Sequence, residues 1–247
     1  MKGLMKLTWV EFKLFLREPM LGLFTFLFPL MMLFVFGGVY GNKPSPYFGG
    51  YGMVDVSVPA WAGLIIANTG FISLAVSVAS YRERGVLRRF RLTPMRPRAI
   101  LVAQIAVLLL MTVLGMALLV VAAKLVFAVQ LRGNLVSVAA GFVLGSLSIF
   151  AIGFVVAGIA PTARAAQAVG MVLFFPMIFL SGSTIPLENI KGAIRALAEA
   201  LPLTHVVTLM RGLWLGDPWS QHLTEVAVLG GVLLLGAAIS TWLFRWE

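Results

Sequence analysis

The chain contains no cysteine, which excludes disulfide staples, thiol chemistry and cysteine-held metals. Acids are scarce: nine Asp and Glu stand among 247 residues, and charged residues of both signs make up 11%. Soluble domains carry about 25%. Histidine occurs only at 205 and 222, 17 positions apart and without a ligand cluster. Each therefore reads as a satisfied interfacial residue, and no metal site is expected. There is no Gly-x-x-x-x-Gly-Lys-Ser/Thr phosphate loop, so the chain cannot bind ATP in that manner. His-Glu-x-x-His and Gly-x-Ser-x-Gly are missing too, and no catalytic residue is expected. The few acids (Glu11, Glu18, Asp55, Glu83, Glu188, Glu199, Asp217, Glu225, Glu247) fall outside the long apolar runs or at their ends. Proton and ion carriers keep carboxylates at mid-membrane. Any energy source for this chain is therefore expected outside it.

Apolar sequence is abundant. Hydrophobic residues reach 60%, with a mean hydropathy of +1.00. A helix needs about 20 apolar residues to cross a bilayer. Six stretches meet that length: 20–39, 58–80, 99–123, 135–160, 167–185 and 225–244. The first is too long for a signal-peptide core and reads as a retained span. The expected fold is an all-α membrane protein, a single transmembrane domain over 1–247, with six transmembrane helices and both termini on one side.

Charge chooses the side. The net charge is +10, and seven arginines crowd 82–98 against one acid, Glu83. Thirteen of the 19 Lys and Arg fall on the face that carries this loop and the termini, and six on the other. The richer face is expected to be cytoplasmic, because cytoplasmic loops carry the Lys/Arg excess. The basic residues flank apolar spans, so they read as orientation and lipid-headgroup contacts. No basic, aromatic-interleaved soluble domain exists, and nucleic acid is not an expected partner.

Three segments outside the spans carry more information. Over 1–19, Lys2, Lys6, Lys13 and Arg17 share one stripe of an amphipathic interfacial helix that Pro19 ends. Over 81–98, Arg84, Arg88 and Arg91 lie on one helical face and Val86 and Phe90 on another, before Thr93-Pro94 stops the helix. Over 186–224, Leu187, Ile190, Ile194, Leu197 and Leu201 recur at helical spacing, so a helix is expected from Pro186 to Leu201 at the external interface. The apolar run 203–215 is too short to span and reads as re-entrant or interfacial. Within the spans, Pro29 and Pro176 are expected to kink their helices. Gly141 and Gly145 form a Gly-x-x-x-Gly close-packing signal. Asn68 and Thr69 sit mid-span. They read either as interhelical hydrogen-bonding groups or as lining of a substrate path.

Taken in order, these segments resemble the permease subunit of type-2 ATP-binding-cassette exporters, in the drug and polysaccharide export branch. The elbow ending Leu16-Arg17-Glu18-Pro19 is similar to that family's connecting helix. Arg82-Glu83-Arg84-Gly85-Val86-Leu87-Arg88-Arg89, followed by Leu92-Thr93-Pro94, is similar to its coupling-helix motif, with Val86 where Thr is common. Leu180-Ser181-Gly182, Ile185-Pro186-Leu187, Leu201-Pro202-Leu203-Thr204 and Arg211-Gly212 match its external signature. Any one motif is weak; the ordered set on six spans is specific.

The resemblance implies a permease that dimerises in a bacterial or archaeal plasma membrane and pairs with two cytosolic ATPase subunits. Those subunits would bind ATP and Mg, and this chain would bind no cofactor. Lys6, Lys13, Arg17 and Glu18 would belong to the moving elbow. Glu83, Arg84 and Gly85 would bracket the docking helix, and Val86, Leu87 and Phe90 would include its anchors. A hydrophobic or amphipathic substrate would leave between two permeases. Asn68, Thr69, Phe71, Phe175 and Phe179 are candidate lining, chosen for depth and polarity. The rival reading is a membrane scaffold or immunity-type subunit that docks a cytosolic partner and moves no solute.

Overall fold

The structure, a computed structural model, describes residues 8–10, 12–13, 23–86, 98–184, 187 and 190–243. The described residues form helices and no strand, apart from one isolated Ser45–Tyr51 bridge. In chain order the helices are α1 (Phe28–Tyr40), α2 (Met53–Glu83), α3 (Arg98–Phe127), α4 (Leu135–Ile159), α5 (Ala163–Leu180), α6 (Ala193–Ala200), α7 (Pro202–Leu215) and α8 (Leu223–Leu243). Five of these (α2 to α5, and α8 with the turn before it) are long and apolar enough to cross a membrane. The bent pair α6 and α7, at 79°, would make a sixth if read as one span. The span expected at 20–39 is described only from Leu23. It opens as a π turn, Leu23–Leu27, and continues as α1.

Span boundaries moved where a charge had been read as loop. α2 starts at Met53, not Val58, because the Asp55 carboxylate accepts the Gly52 N–H at 3.4 Å in a capping arrangement. An acid in a first turn complements the helix dipole. α5 starts at Ala163, not Gln167. Its N-cap is Thr162, whose hydroxyl accepts from the Ala165 N–H at 3.1 Å. Pro29 is the second residue of α1 and follows directly on the π turn, so the helix runs continuously through it. The expected helix 186–201 begins only at Ala193, because Gly192 adopts a positive φ of 66°. Residues 185–186 and 188–189 lie outside the described set.

α2 is the central post, and every residue from Val58 to Phe71 is buried. Lipid is as apolar as leucine, so close packing rather than the hydrophobic effect holds such helices together. Glycines make that packing possible. A Cβ on Gly141 would meet Leu213 Cδ1 at 2.6 Å, and one on Gly145 would meet Val206 Cγ1 at 3.0 Å. The Gly-x-x-x-Gly face of α4 is therefore the seat of α7. α7 is the helix that the apolar run 203–215 forms. Leu203, Val206, Val207, Leu209, Met210, Leu213 and Trp214 are all buried. The backbone N–H groups of Arg132 and Gly133 donate to the Trp214 carbonyl at 3.2 and 2.9 Å, tying the α3–α4 loop to the end of α7.

α2 carries its own π segment, Asn68–Leu74. It faces the π turn of the first span, and the Asn68 side chain donates to Thr25 Oγ1 at 3.3 Å. Both groups are buried. Asn68→Ala is expected to cost about 0.6 kcal/mol and at most ~1.7 kcal/mol, the range for interhelical polar contacts in lipid. A melt of detergent-solubilised protein reads this directly. A loss well above that range would mean the bond holds more than two side chains.

Candidate functional site

The base of the arginine loop is the site that the structure builds most fully. Arg82 and Glu83 end α2, and beside them α4 ends and α5 begins. The Arg82 guanidinium donates to the Gly158 carbonyl at 2.9 Å and to the Ala160 carbonyl. The Glu83 carboxylate accepts the Ala163 N–H at 2.8 Å. A cation thus meets the negative end of α4, and an anion the positive end of α5. Each sign is the one its helix terminus stabilises. Two consecutive residues thereby clamp the α4–α5 turn to the root of the loop. Their reach depends on small side chains: Ala75 and Ala79 of α2 pack with Ala166 of α5. Gly85, at φ 65°, then turns the chain out of the helix, with its N–H donating to the Arg82 carbonyl at 3.0 Å.

Of the expected coupling residues, the structure places Glu83 in the clamp, Arg84 exposed, Gly85 at the turn and Val86 half-buried. Leu87 and Phe90 lie outside the described residues. Arg82 was not singled out from sequence as a member of the site. Its role depends on where α4 ends, which no motif marks. In the elbow, residues 8–10 and 12–13 are helical, and the Lys13 ammonium lies 5.3 Å from the centre of the Trp9 ring. Phe12 packs against the cluster of Leu74, Val78, Val107 and Leu108, so the elbow touches α2 and α3 at the same end as the clamp. Lys6, Arg17 and Glu18 lie outside the described residues.

The candidate path residues separate into two groups. Asn68, Thr69 and Phe71 are buried inside the single chain. Asn68 bonds Thr25, and Thr69 Oγ1 donates to the Ile65 carbonyl at 2.8 Å. They occupy packing positions among the described residues. Phe175 and Phe179 are about half exposed, at 54% and 50%, on the outer face of α5. The polarity of Asn68 and Thr69 was a sound signal for a buried polar contact.

At the opposite end lies a cavity of about 890 Å³ between α1, the 41–52 loop, the start of α2, the 182–184 turn and α7. Phe36, Tyr40, Phe48, Tyr51 and Trp61 line it, with Lys43 and Arg211 as its cations. Asn42 shapes the rim. Its amide donates to the Phe127 carbonyl at 3.1 Å, and its oxygen accepts the Asp55 N–H at 3.1 Å. Gly182, at φ 86°, makes the turn behind it. Nearby, His222 sits buried between Asp217 and Glu225, 3.5 and 3.7 Å away. Among the described residues no group of three or more His, Asp or Glu is arranged to hold a metal ion.

These features define a multi-pass helical membrane protein: a bundle around a buried post, a bent helix pair at one end and a clamped loop root at the other. The chain belongs to the ABC-2 type transporter family, whose profile matches residues 3–215. Permeases of this family work with ATP-binding-cassette subunits. The chain is 30% identical over 99 residues to nodulation protein J of Rhizobium leguminosarum bv. viciae, covering 40% of this chain and 38% of that protein. It is 26% identical to the inner membrane transport permease YhhJ of Escherichia coli, over 70% of this chain and 49% of that one. It is 23% identical to the daunorubicin resistance ABC transporter permease protein DrrB1 of Streptomyces coeruleorubidus, over 89% of this chain and 76% of that one. The chain thus spans less than half the length of the first two relatives.

Proposed function

We propose that this chain is the permease half of an ATP-driven exporter. It works as two copies with two cytosolic ATPase subunits and moves a hydrophobic or amphipathic substrate outward. The arginine loop and both termini face the cytoplasm, as the Lys/Arg excess on that face favours. The observation that carries the reading is the Arg82–Glu83 clamp. A partner that pushes on the loop pushes on α2, α4 and α5 together, because the root of the loop is hydrogen-bonded to the ends of all three. The chain supplies binding surface and leverage, and the partner supplies ATP, Mg and hydrolysis.

Reconstitution tests this. The full chain with its ATPase partner in proteoliposomes is expected to hydrolyse ATP faster when a transported substrate is added, and the chain alone is expected to hydrolyse none. Hydrolysis that responds to the permease while no compound crosses the membrane would favour the scaffold reading. Protease cleavage of the arginine loop from outside intact cells would overturn the orientation.

A further inference from the structure

We propose that the outer cavity binds an amphiphile with an anionic head and an apolar body, its head at Lys43 and Arg211 and its body against Met32, Phe36 and Trp61. Size comes first. About 890 Å³ is far more than a free phosphate needs, and it falls in the roughly 300–1,000 Å³ range of small-molecule pockets. Shape comes second. The lining runs along α1 from Met32 to Tyr40, about 12 Å at the helical rise per residue. Apolar and aromatic groups fill the deep part, with the ring of buried Trp61 6.3 Å from that of Phe36.

Charge comes third and decides the class. Lys43 lies just past the end of α1, and Arg211 lies near the end of α7, so both cations mark the outer rim. Among the described lining residues there is no carboxylate. The acid closest in sequence, Asp55, holds the backbone N–H groups of Gly52 and Gln130 and does not line the cavity. A third cation reinforces the wall, since the Arg132 guanidinium stacks 4.7 Å from the centre of the Tyr51 ring. Ser57 and Thr184 add hydroxyls to the lining that can bond a phosphate or carboxylate oxygen. A pocket lined with one sign of charge over low-dielectric walls concentrates the opposite sign. The binding chemistry stands on the cavity alone; that its occupant is cargo leaving the protein rests on the export reading above.

The absence of native cysteine makes the test clean. Ser57→Cys places one thiol on the cavity wall of the full chain. In unsealed membrane fragments both faces are reachable, so orientation does not enter. Sulfonatoethyl methanethiosulfonate is expected to react faster, relative to its trimethylammonioethyl counterpart, than in a Lys43→Gln background. The ratio should fall roughly three- to tenfold on losing that charge. Lys191→Gln removes the same charge from an exposed site that does not line the cavity, and is expected to leave the ratio unchanged. Dodecyl phosphate is expected to protect the thiol, and neutral dodecyl maltoside is not. Protection by phosphatidylglycerol doped into phosphatidylcholine vesicles identifies a lipid as the anionic occupant; protection by dodecyl phosphate without it identifies a soluble amphiphile. Equal ratios in the Lys43→Gln and Lys191→Gln backgrounds, or equal protection by the phosphate and the maltoside, overturn the proposal. Labelling of the same cysteine in intact cells tests the orientation separately.

Discussion

Glu83→Ala is expected to reach the membrane at the parental level and yet lose most substrate-dependent transport. The apolar length of α2 is untouched, so insertion has no reason to change. What changes is the tie between the loop and α5. Thr162 still caps α5, so the loss is that of an exposed carboxylate at a positive helix end, about 0.3–1 kcal/mol. That weakens the tie between the loop and α5 roughly two- to fivefold, while Arg82 still holds the end of α4. Glu83→Gln keeps an acceptor for the Ala163 N–H and loses only the charge, so its defect should be intermediate. Arg82→Ala frees the Gly158 and Ala160 carbonyls and should resemble Glu83→Ala, while Arg82→Lys keeps the charge without the two-pronged geometry. Basal ATP hydrolysis by the partner should persist in all four while its stimulation by substrate falls. Parental transport by Glu83→Ala would remove the clamp from the mechanism, whatever else the loop does.

Much of this architecture is visible in the sequence, for a physical reason. Apolar runs near 20 residues have few fates, and a helix like α2, buried on every side, reads as apolar on every side. The short apolar helix α7 also shows as a pattern, because it is a local property of a dozen residues. The clamp is different. Glu83 stands out as the one acid of the loop, but Arg82 looks like one more charge until the end of α4, nearly eighty residues away, is placed beside it. The cavity at the opposite end is equally hidden. Lys43, Trp61 and Arg211 share no motif, and only the rise of α7 against α2 brings them to one wall. The contacts of Asn68, Thr69 and Phe71 within the chain were hidden for the converse reason. Depth and polarity are readable from sequence, but which face of a buried helix meets a neighbour is not.

The π segment of α2 makes the second strong prediction. Its carbonyls are approached by two glycines from different helices. A Cβ on Gly153 of α4 would lie 2.1 Å from the Gly70 carbonyl oxygen, and one on Gly170 of α5 would lie 2.2 Å from that of Phe71. These obstacles are backbone atoms of the central post, which no rotamer change can move. Gly153→Ala and Gly170→Ala are therefore expected to destabilise the bundle, by about 1–3 kcal/mol for overpacking of this kind. In a chain of this size that lowers the melting temperature by roughly 2–10 °C. Gly231→Ala in α8 is the matched control: nothing lies within 4 Å of its Cβ position, and alanine is the better helix former by about 1 kcal/mol. Solubilised variants melted side by side should thus separate, 153 and 170 below the parent and 231 at or above it. The pair 153 and 170 presses on adjacent carbonyls of one segment, so the double variant should lose less than the two single losses added together. Once the post has shifted to admit one methyl group, part of the room for the second already exists. Strict additivity would mean that the π segment yields at two independent points, and that α2 is a softer post than its burial implies.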